Sequence, residues 1–321
     1  MMKNNQPVKK SFSEEQLERG CALLFGLFWI LTALSSAMRL HLVISLMDHD
    51  TGFYWSNSRM ILIFNVAAVV SVGLLCGCGY FWGRTFQRLE GTHLSYRPAC
   101  RWISVLLALF ALGVGCKSGI ALLSSPPAAG ISSVTEILGL LAAAALLWTA
   151  GKGLFRTESS PGPLFLNGWL MAIPVLWQLF SLLTTYLKSP VRSGDSERVL
   201  ETVTAVGFLL FLFFHARVLS GRDSLSGLPM GLLSGLAGGY LAVLYGLPGL
   251  SWDLSSAGLG GVEWSHLTAA LLGIYMVLFC SELLRQQICQ LRLVQGAAEA
   301  SPAEAVPPSK GEQPGQTGQE G

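Results

Sequence analysis

Residues 102–124 read WISVLLALFALGVGCKSGIALLS, and these 23 positions hold a single charged side chain, Lys117. An α-helix of about 20 apolar residues crosses the roughly 30 Å hydrocarbon core of a bilayer. Seven further stretches share this length and character. The predicted spans are therefore 21–47, 60–83, 102–124, 132–155, 165–187, 199–220, 229–250 and 263–285. In lipid each backbone must satisfy its own hydrogen bonds, so the sequence predicts an all-α, polytopic transmembrane helical bundle of eight spans.

The composition excludes a soluble protein. Hydrophobic residues make up 51% of the 321 residues and charged residues only 12%, whereas soluble domains carry about 25% charged residues. The formal net charge of +2 gives no indication of nucleic-acid binding. The predicted surroundings are the lipid bilayer, with another membrane protein or a second copy of the chain as candidate partners.

The distribution of lysine and arginine predicts the orientation of the chain. If the N-terminus is cytoplasmic, fifteen of the 21 basic residues fall on the cytoplasmic side and five on the outer side, with Lys117 inside a span. The fifteen are Lys3, Lys9, Lys10, Arg19, Arg84, Arg88, Arg97, Arg101, Lys152, Arg156, Arg217, Arg222, Arg285, Arg292 and Lys310. Cytoplasmic loops of membrane proteins carry such an excess. Both termini are therefore expected in the cytoplasm, and short loops favour a bacterial plasma (inner) membrane.

Three segments are predicted along the chain: a polar leader at 1–20, the transmembrane domain at 21–294 and a disordered tail at 295–321. The tail is rich in Ala, Glu, Pro, Gly and Gln, a composition that cannot bury a core. A signal peptide cleaved after Ala37 is the alternative for the first span. The acidic residues Glu14, Glu15 and Glu18 argue against it, because a signal peptide begins with a basic region.

The third and fourth spans hold a candidate ion pair. A charge within a span is costly and marks a functional site by default. Lys117 lies about seven residues before the outer end of the third span, and Glu136 lies about one turn inside the next. The functional interpretation is a substrate or ion-coupling site. The structural alternatives, which we favour, are an ion pair that locks two helices and a lysine that extends outward to the membrane surface.

More polar residues are predicted at the outer ends of other spans, where they could form a vestibule open to the outside. This set is Arg39, His41, Asp48, Asp50, Glu201, Asp253 and Glu263, with His266 beside it. Acidic residues at helix N-termini are also stabilised by the helix dipole, which would explain Glu201 and Glu263 without a site. Arg39 is expected to reach Asp48, Asp50 or lipid headgroups.

Small residues recur at four-residue spacing, which lets helices approach closely. The predicted packing positions are Gly73, Gly77, Gly115, Gly119, Gly231, Gly235 and Gly239. Packing within one chain is favoured, and dimerisation is the alternative. Pro174 predicts a kink in the fifth span, and Pro248 predicts the end of the seventh. Glycine–arginine pairs after the second and sixth spans hint at a four-plus-four duplication.

No motif for catalysis, nucleotide binding or metal binding is found, so no catalytic residue, metal site or cofactor is predicted. Cys76 and Cys78 point in different directions on a helix and are predicted to be core thiols. The first function hypothesis is a non-enzymatic membrane component that binds lipid or a partner protein. The second is a small-solute or ion transporter with an outward-facing site around Lys117 and Glu136.

Overall fold

The structure, a computed structural model, describes residues 14–46, 59–87, 100–124, 130–155, 166–188, 196–221, 225–258 and 262–300. Eight α-helices and one 3₁₀ turn (Leu225–Gly227) make up the regular structure of these ranges. The helices are α1 (Glu14–Leu46), α2 (Arg59–Gln87), α3 (Arg101–Ser124), α4 (Ile131–Leu154), α5 (Gly168–Lys188), α6 (Ser196–Leu219), α7 (Leu228–Ala257) and α8 (Trp264–Ala300). No strand occurs within the described ranges.

Each of the eight helices is long and apolar enough to cross a membrane. The prediction of an all-helical, multi-pass membrane protein with eight spans is confirmed to that extent. The side of the membrane on which the termini lie stays a prediction. Helix α8 is much longer than a bilayer core requires. α8 has 37 residues, or about 55 Å at 1.5 Å per residue, against a core of about 30 Å.

Helix α7 lies at the centre of the bundle and packs against α1, α2, α6 and α8. Helices α3 to α8 follow one another in contact, and α8 returns to pack against α3. The side chains of Leu232, Leu236 and Tyr240 on α7 are fully buried, although the outward faces of the other helices expose Leu, Ile and Val. Because lipid tails are as apolar as these side chains, the helices associate mainly through close packing and polar contacts.

Glycines allow α7 to approach its neighbours. A Cβ atom at Gly231 would collide with the ring of Phe214, and one at Gly235 with Sγ of Cys280. A Cβ atom at Gly239 would lie 2.8 Å from Val277. These three predicted packing glycines therefore face other helices of the chain.

The other predicted packing glycines differ from one another. A Cβ atom at Gly115 would make an ordinary contact of 3.4 Å with Ala143. At Gly73, Gly77 and Gly119 it would meet nothing within 4 Å in the described part of the chain. The described residues supply no packing partner for these three glycines, and dimerisation through them stays a prediction. Sequence spacing identifies a small-residue stripe but not the direction in which it faces.

The prediction that Pro248 ends the seventh helix is wrong, because α7 continues for nine residues beyond it to Ala257. Pro174 also lies inside its helix, α5. Helix α8 runs to Ala300, past the predicted start of the disordered tail at residue 295. Residues 301–321 and 1–13 lie outside the described residues, so the leader and most of the tail stay predictions.

The contacts of the two four-helix halves differ. α7 packs against both α1 and α2, whereas the corresponding helix of the first half, α3, packs principally against α4 and α8. The four-plus-four duplication stays a prediction.

Candidate functional site

The buried face of α1 changes from apolar to polar along its length. Buried residues recur every three or four positions, as expected for a helix with one face in a core. They are Leu17, Cys21, Leu24, Phe28, Thr32, Ser35, Arg39 and Leu42. From Thr32 onward this face carries hydroxyl groups and then a guanidinium group. The change places polar chemistry at the end of the bundle where α1 and α7 end and α6 and α8 begin. We call this the Arg39 end.

Arg39 is the most deeply buried charge there, with 2% of its side chain exposed. Its Nη2 atom forms an ion pair and hydrogen bond with the carboxylate of Glu197 on α6. Its Nη1 atom donates a hydrogen bond of 2.5 Å to the carbonyl oxygen of Leu244 on α7. The guanidinium carbon lies 5.5 Å from the centre of the Tyr245 ring. One side chain thus links α1 to both α6 and α7.

The Leu244 carbonyl can accept this bond because of Pro248. In an α-helix the carbonyl of residue i accepts a hydrogen bond from the N–H of residue i+4. Proline has no N–H, so Pro248 leaves the Leu244 carbonyl without its helical donor. Arg39 supplies that donor from another helix. This hydrogen bond from another helix explains how α7 continues through Pro248 inside an apolar bundle.

A second polar contact joins α7 to α8 at the same end. Nδ1 of His266 lies 2.9 Å from Oδ2 of Asp253 and 3.7 Å from Oε2 of Glu263. The same Asp253 oxygen accepts a 2.9 Å hydrogen bond from the backbone N–H of Glu263. The His266 ring packs over Gly249, where a Cβ atom would lie 2.5 Å from the imidazole. Glycine at this position therefore creates the space that the imidazole occupies.

Tyr245 connects the two groups of charges. Its ring centre lies 5.0 Å from that of His266 and 5.5 Å from the guanidinium carbon of Arg39. Glu201 lies one helical turn after Glu197 on α6, and Glu263 immediately precedes α8, 3.7 Å from His266. Glu201 also pairs with Arg198 at 2.8 Å. We call the residues Arg39, Glu197, Glu201, Tyr245, Asp253, Glu263 and His266 the Arg39 cluster.

Four of the residues predicted for an outer vestibule belong to this cluster: Arg39, Glu201, Asp253 and Glu263. His41 does not, since it is exposed and its nearest polar contact is Ser45 on its own helix, at 3.4 Å. Asp48 and Asp50 lie outside the described residues. The expected partners of Arg39 were Asp48, Asp50 or lipid headgroups, but the structure places Glu197 against it.

Lys117 and Glu136 lie on neighbouring helices, yet no ion pair joins these two described residues. Lys117 is exposed, whereas the next residue, Ser118, is buried against α4. A Cβ atom at Gly139 would collide with the Ser118 hydroxyl oxygen. Consecutive helical residues point about 100° apart, so Ser118 rather than Lys117 faces the fourth helix. The ammonium group of Lys117 can instead extend along the helix surface towards water.

A separate polar contact is buried among aromatic rings between α6 and α8. Nε2 of His215 lies 2.7 Å from the Tyr275 hydroxyl. The imidazole packs against Phe211, at 5.8 Å between ring centres, and Phe279, at 4.9 Å. This histidine is only 2% exposed. This hydrogen-bonding contact with Tyr275 and the aromatic surroundings are typical of interhelical packing.

The described residues hold no group of three or more His, Cys, Asp or Glu arranged to bind a metal ion. Comparison with protein-family models, with curated proteins and with solved structures finds no significant match. The function must be inferred from the arrangement of the chain's own residues.

Proposed function

We propose that the protein is a membrane carrier that binds a small solute at the Arg39 cluster. In this proposal the chain lies in a bacterial plasma membrane with both termini in the cytoplasm, so that the cluster faces outward. The observation that carries the proposal is the buried ion pair between Arg39 and Glu197, which joins α1 to α6 beside the central helix.

A buried ion pair is an inefficient way to hold two helices together. Removing both charges from water costs several kcal/mol per ion, and a well-packed apolar pair of similar volume is often as stable or more stable. Ionisable side chains at membrane depth are therefore a functional hypothesis by default. Glu197 keeps 23% of its side chain exposed, so the pair lies where a solute could reach it from the Arg39 end.

A carrier site at Lys117 and Glu136, the location that the sequence indicates, has weaker support. These two groups form no ion pair with each other, and Lys117 is exposed rather than enclosed by helices. The Arg39 cluster instead draws residues from α1, α6, α7 and α8. A carrier changes the packing of helices around its site, and this cluster lies where four helices meet.

Uptake into proteoliposomes tests the proposal. The purified protein would be reconstituted and offered four labelled probes in turn: a ¹⁴C amino-acid mixture, a ¹⁴C carboxylic-acid mixture, ¹⁴C glycerol and ²²Na⁺. We expect uptake of at least one probe above that of protein-free liposomes. Arg39→Met should abolish this uptake, while Lys117→Met should retain it. Uptake of no probe, or equal uptake by both variants, would refute a carrier centred on Arg39.

Partner binding is the second candidate, favoured by the length of α8. The last turns of α8 lie beside the start of α1, where Arg292 pairs with Glu18 at 3.0 Å. Leu293 is 70% exposed nearby. Because α8 is longer than a bilayer core, this two-helix extension offers a surface for another protein. Native mass spectra would show an additional protein mass on the wild type that is absent from Leu293→Glu. Bare protein in both spectra would argue against this candidate.

A further inference from the structure

Two threonines below the Arg39–Glu197 pair have buried hydroxyl groups without a hydrogen-bond partner. Thr32 on α1 is 3% exposed and Thr204 on α6 is 2% exposed. The Oγ1 atom of each is fully enclosed and has no partner in the described part of the chain. A buried hydroxyl left in this state is destabilising, because it has lost its hydrogen bonds to water without gaining others.

Other helical threonines in this protein avoid that cost by a local bond. Their hydroxyl groups donate to the carbonyl four residues earlier, the usual arrangement for a helical threonine. The distances are 2.9 Å for Thr135, 2.8 Å for Thr149, 2.7 Å for Thr184 and 2.8 Å for Thr202. Thr32 and Thr204 depart from this pattern, so each keeps an unused donor and acceptor inside the bundle.

Helix geometry places both hydroxyl groups on the same side of the ion pair. Thr32 precedes Arg39 by seven residues, and Thr204 follows Glu197 by seven. Seven residues are about two helical turns, so each threonine shares a helix face with its charged residue. Helices α1 and α6 run in opposite directions. Both threonines therefore lie about 10 Å deeper in the bundle than the ion pair. The Ser36 hydroxyl on α1, between these levels, also has no partner in the described residues.

We propose that Arg39 and Glu197 separate to bind a zwitterion, an amino acid whose neutral polar side chain extends towards Thr32 and Thr204. This inference rests on the proposed carrier function and names its substrate class. The ligand carboxylate would replace Glu197 on the guanidinium fork, whose geometry matches a carboxylate. The ligand ammonium group would replace Arg39 on Glu197. The side-chain amide or hydroxyl would satisfy the two threonines, which can each donate and accept.

Charge balance favours a zwitterion over a simple ion. The Arg39–Glu197 pair carries no net charge, and a zwitterion leaves every charge paired. A monovalent anion bound to Arg39 would replace Glu197 there without supplying a cation to Glu197, and a monovalent cation bound to Glu197 would replace Arg39 without supplying an anion to Arg39. Loss of an opposite charge from a buried ion pair is strongly unfavourable. A neutral polyol could reach the threonines but would not compensate for separation of the ion pair.

Binding of four matched probes to the detergent-solubilised full-length chain tests this inference. L-Glutamine is a zwitterion with a side chain that both donates and accepts hydrogen bonds. 4-Carbamoylbutanoate lacks only its ammonium group, and 4-aminobutanamide lacks only its carboxylate. L-Norleucine keeps both charges but has an apolar side chain. We expect saturable thermal stabilisation by L-glutamine, weaker stabilisation by L-norleucine, and none by the two singly charged analogues.

Threonine variants then test the role of the hydroxyl groups. Thr32→Val combined with Thr204→Val keeps the side-chain shape, and should weaken L-glutamine binding at least about tenfold because two hydrogen bonds are lost. L-Norleucine binding should be unchanged. Thr149→Val is the matched control, since that buried threonine bonds to its own helix, and it should leave both affinities unchanged.

Three outcomes would overturn the inference. They are equal binding of a singly charged analogue, the absence of L-glutamine binding, and unchanged L-glutamine affinity in the double threonine variant. The uptake assay separates this failure from failure of the carrier function. If ²²Na⁺, glycerol or carboxylic acids are taken up in an Arg39-dependent manner but L-glutamine does not bind, the carrier remains and only its substrate class is wrong.

Discussion

Arg39 is buried where water cannot compensate its charge, so its protein contacts must do so. Replacement by methionine would leave Glu197 without its buried partner and the Leu244 carbonyl without a donor. Removing one member of a fully buried pair costs about 3–5 kcal/mol. We expect a smaller loss, about 2–3 kcal/mol, because the part-exposed Glu197 can regain some hydration.

Arg39→Lys is the informative comparison for that prediction. Lysine keeps the positive charge but lacks the planar fork that allows simultaneous bonding to Glu197 and Leu244. Its stability should therefore fall between wild type and Arg39→Met. Unfolding in mixed detergent micelles, followed by tryptophan fluorescence, measures all three proteins. If Arg39→Met is as stable as the wild type, the described contacts do not stabilise the bundle.

At the level of single helices, the proline in α7 and the arginine in α1 should be energetically coupled. Pro248→Ala restores an N–H that can bond to the Leu244 carbonyl. In the Pro248→Ala background, Arg39→Met no longer leaves the Leu244 carbonyl without a donor. Its effect on the free energy of unfolding should therefore be about 1 kcal/mol smaller than in the wild type. A double-mutant cycle of unfolding free energies measures this coupling. Pro174→Ala in α5 is the control, since its effect should add to that of Arg39→Met.

If the losses of unfolding free energy caused by Arg39→Met and Pro248→Ala simply add, Arg39 does not replace the helical donor to the Leu244 carbonyl. The wild-type arrangement also explains why Pro248 was wrongly predicted to end its helix. The local sequence shows only that Pro248 lacks an N–H, and this alone predicts the end of a helix. The compensating donor lies 205 residues away along the chain, and no local pattern indicates it.

Two glycines in transmembrane helices should respond oppositely to the same substitution. A Cβ atom at Gly246 on α7 would collide with the backbone of Ala270 on α8, whereas one at Gly73 on α2 meets nothing within 4 Å. Gly246→Ala should cost about 1–3 kcal/mol, typical of overpacking. Gly73→Ala should be neutral or slightly stabilising, since alanine favours a helix.

The same unfolding assay compares these two variants. A destabilised Gly73→Ala would indicate contacts that one copy of the chain does not make. Light scattering of that variant then decides whether Gly73 lies at a contact between two copies. Equal stability of Gly246→Ala and the wild type would contradict the close crossing of α7 and α8.

At the scale of the whole molecule, the spans were predictable but the site was not. Composition alone fixes which segments enter lipid, because about 20 consecutive apolar residues have few other stable environments. The vestibule residues Arg39, Glu201, Asp253 and Glu263 are recognisable in the sequence as polar residues near span ends. Whether these residues meet depends on which helices are neighbours. The same is true of the pairing of Arg39 with Glu197 and of the position of Tyr245 between Arg39 and His266. At Lys117 the sequence indicates a site that the structure does not enclose, because a charge inside a span need not face another helix.

The two ends of the bundle differ in their chemistry, which gives the last prediction. At the end opposite Arg39, three basic residues each lie over an aromatic ring one turn earlier in the same helix. The pairs are Arg84 with Tyr80, Lys152 with Trp148, and Arg217 with Phe213, at 5.3–5.8 Å. Basic and aromatic side chains are enriched together where helices meet the membrane surface. With the excess of basic residues at the same end, this predicts that it faces the cytoplasm.

Alkaline phosphatase fusions in bacterial cells measure that orientation, because the enzyme is active only outside the cytoplasm. Fusion after Ser189, in the connection between α5 and α6, should be active. Fusion after Gly221, between α6 and α7, should be inactive, as should fusion at residue 321. A green fluorescent protein fused at the same positions folds in the cytoplasm and should give the reverse pattern. Reversal of both patterns would place the Arg39 end in the cytoplasm. A carrier would then present its Arg39 site to cytoplasmic rather than external solute.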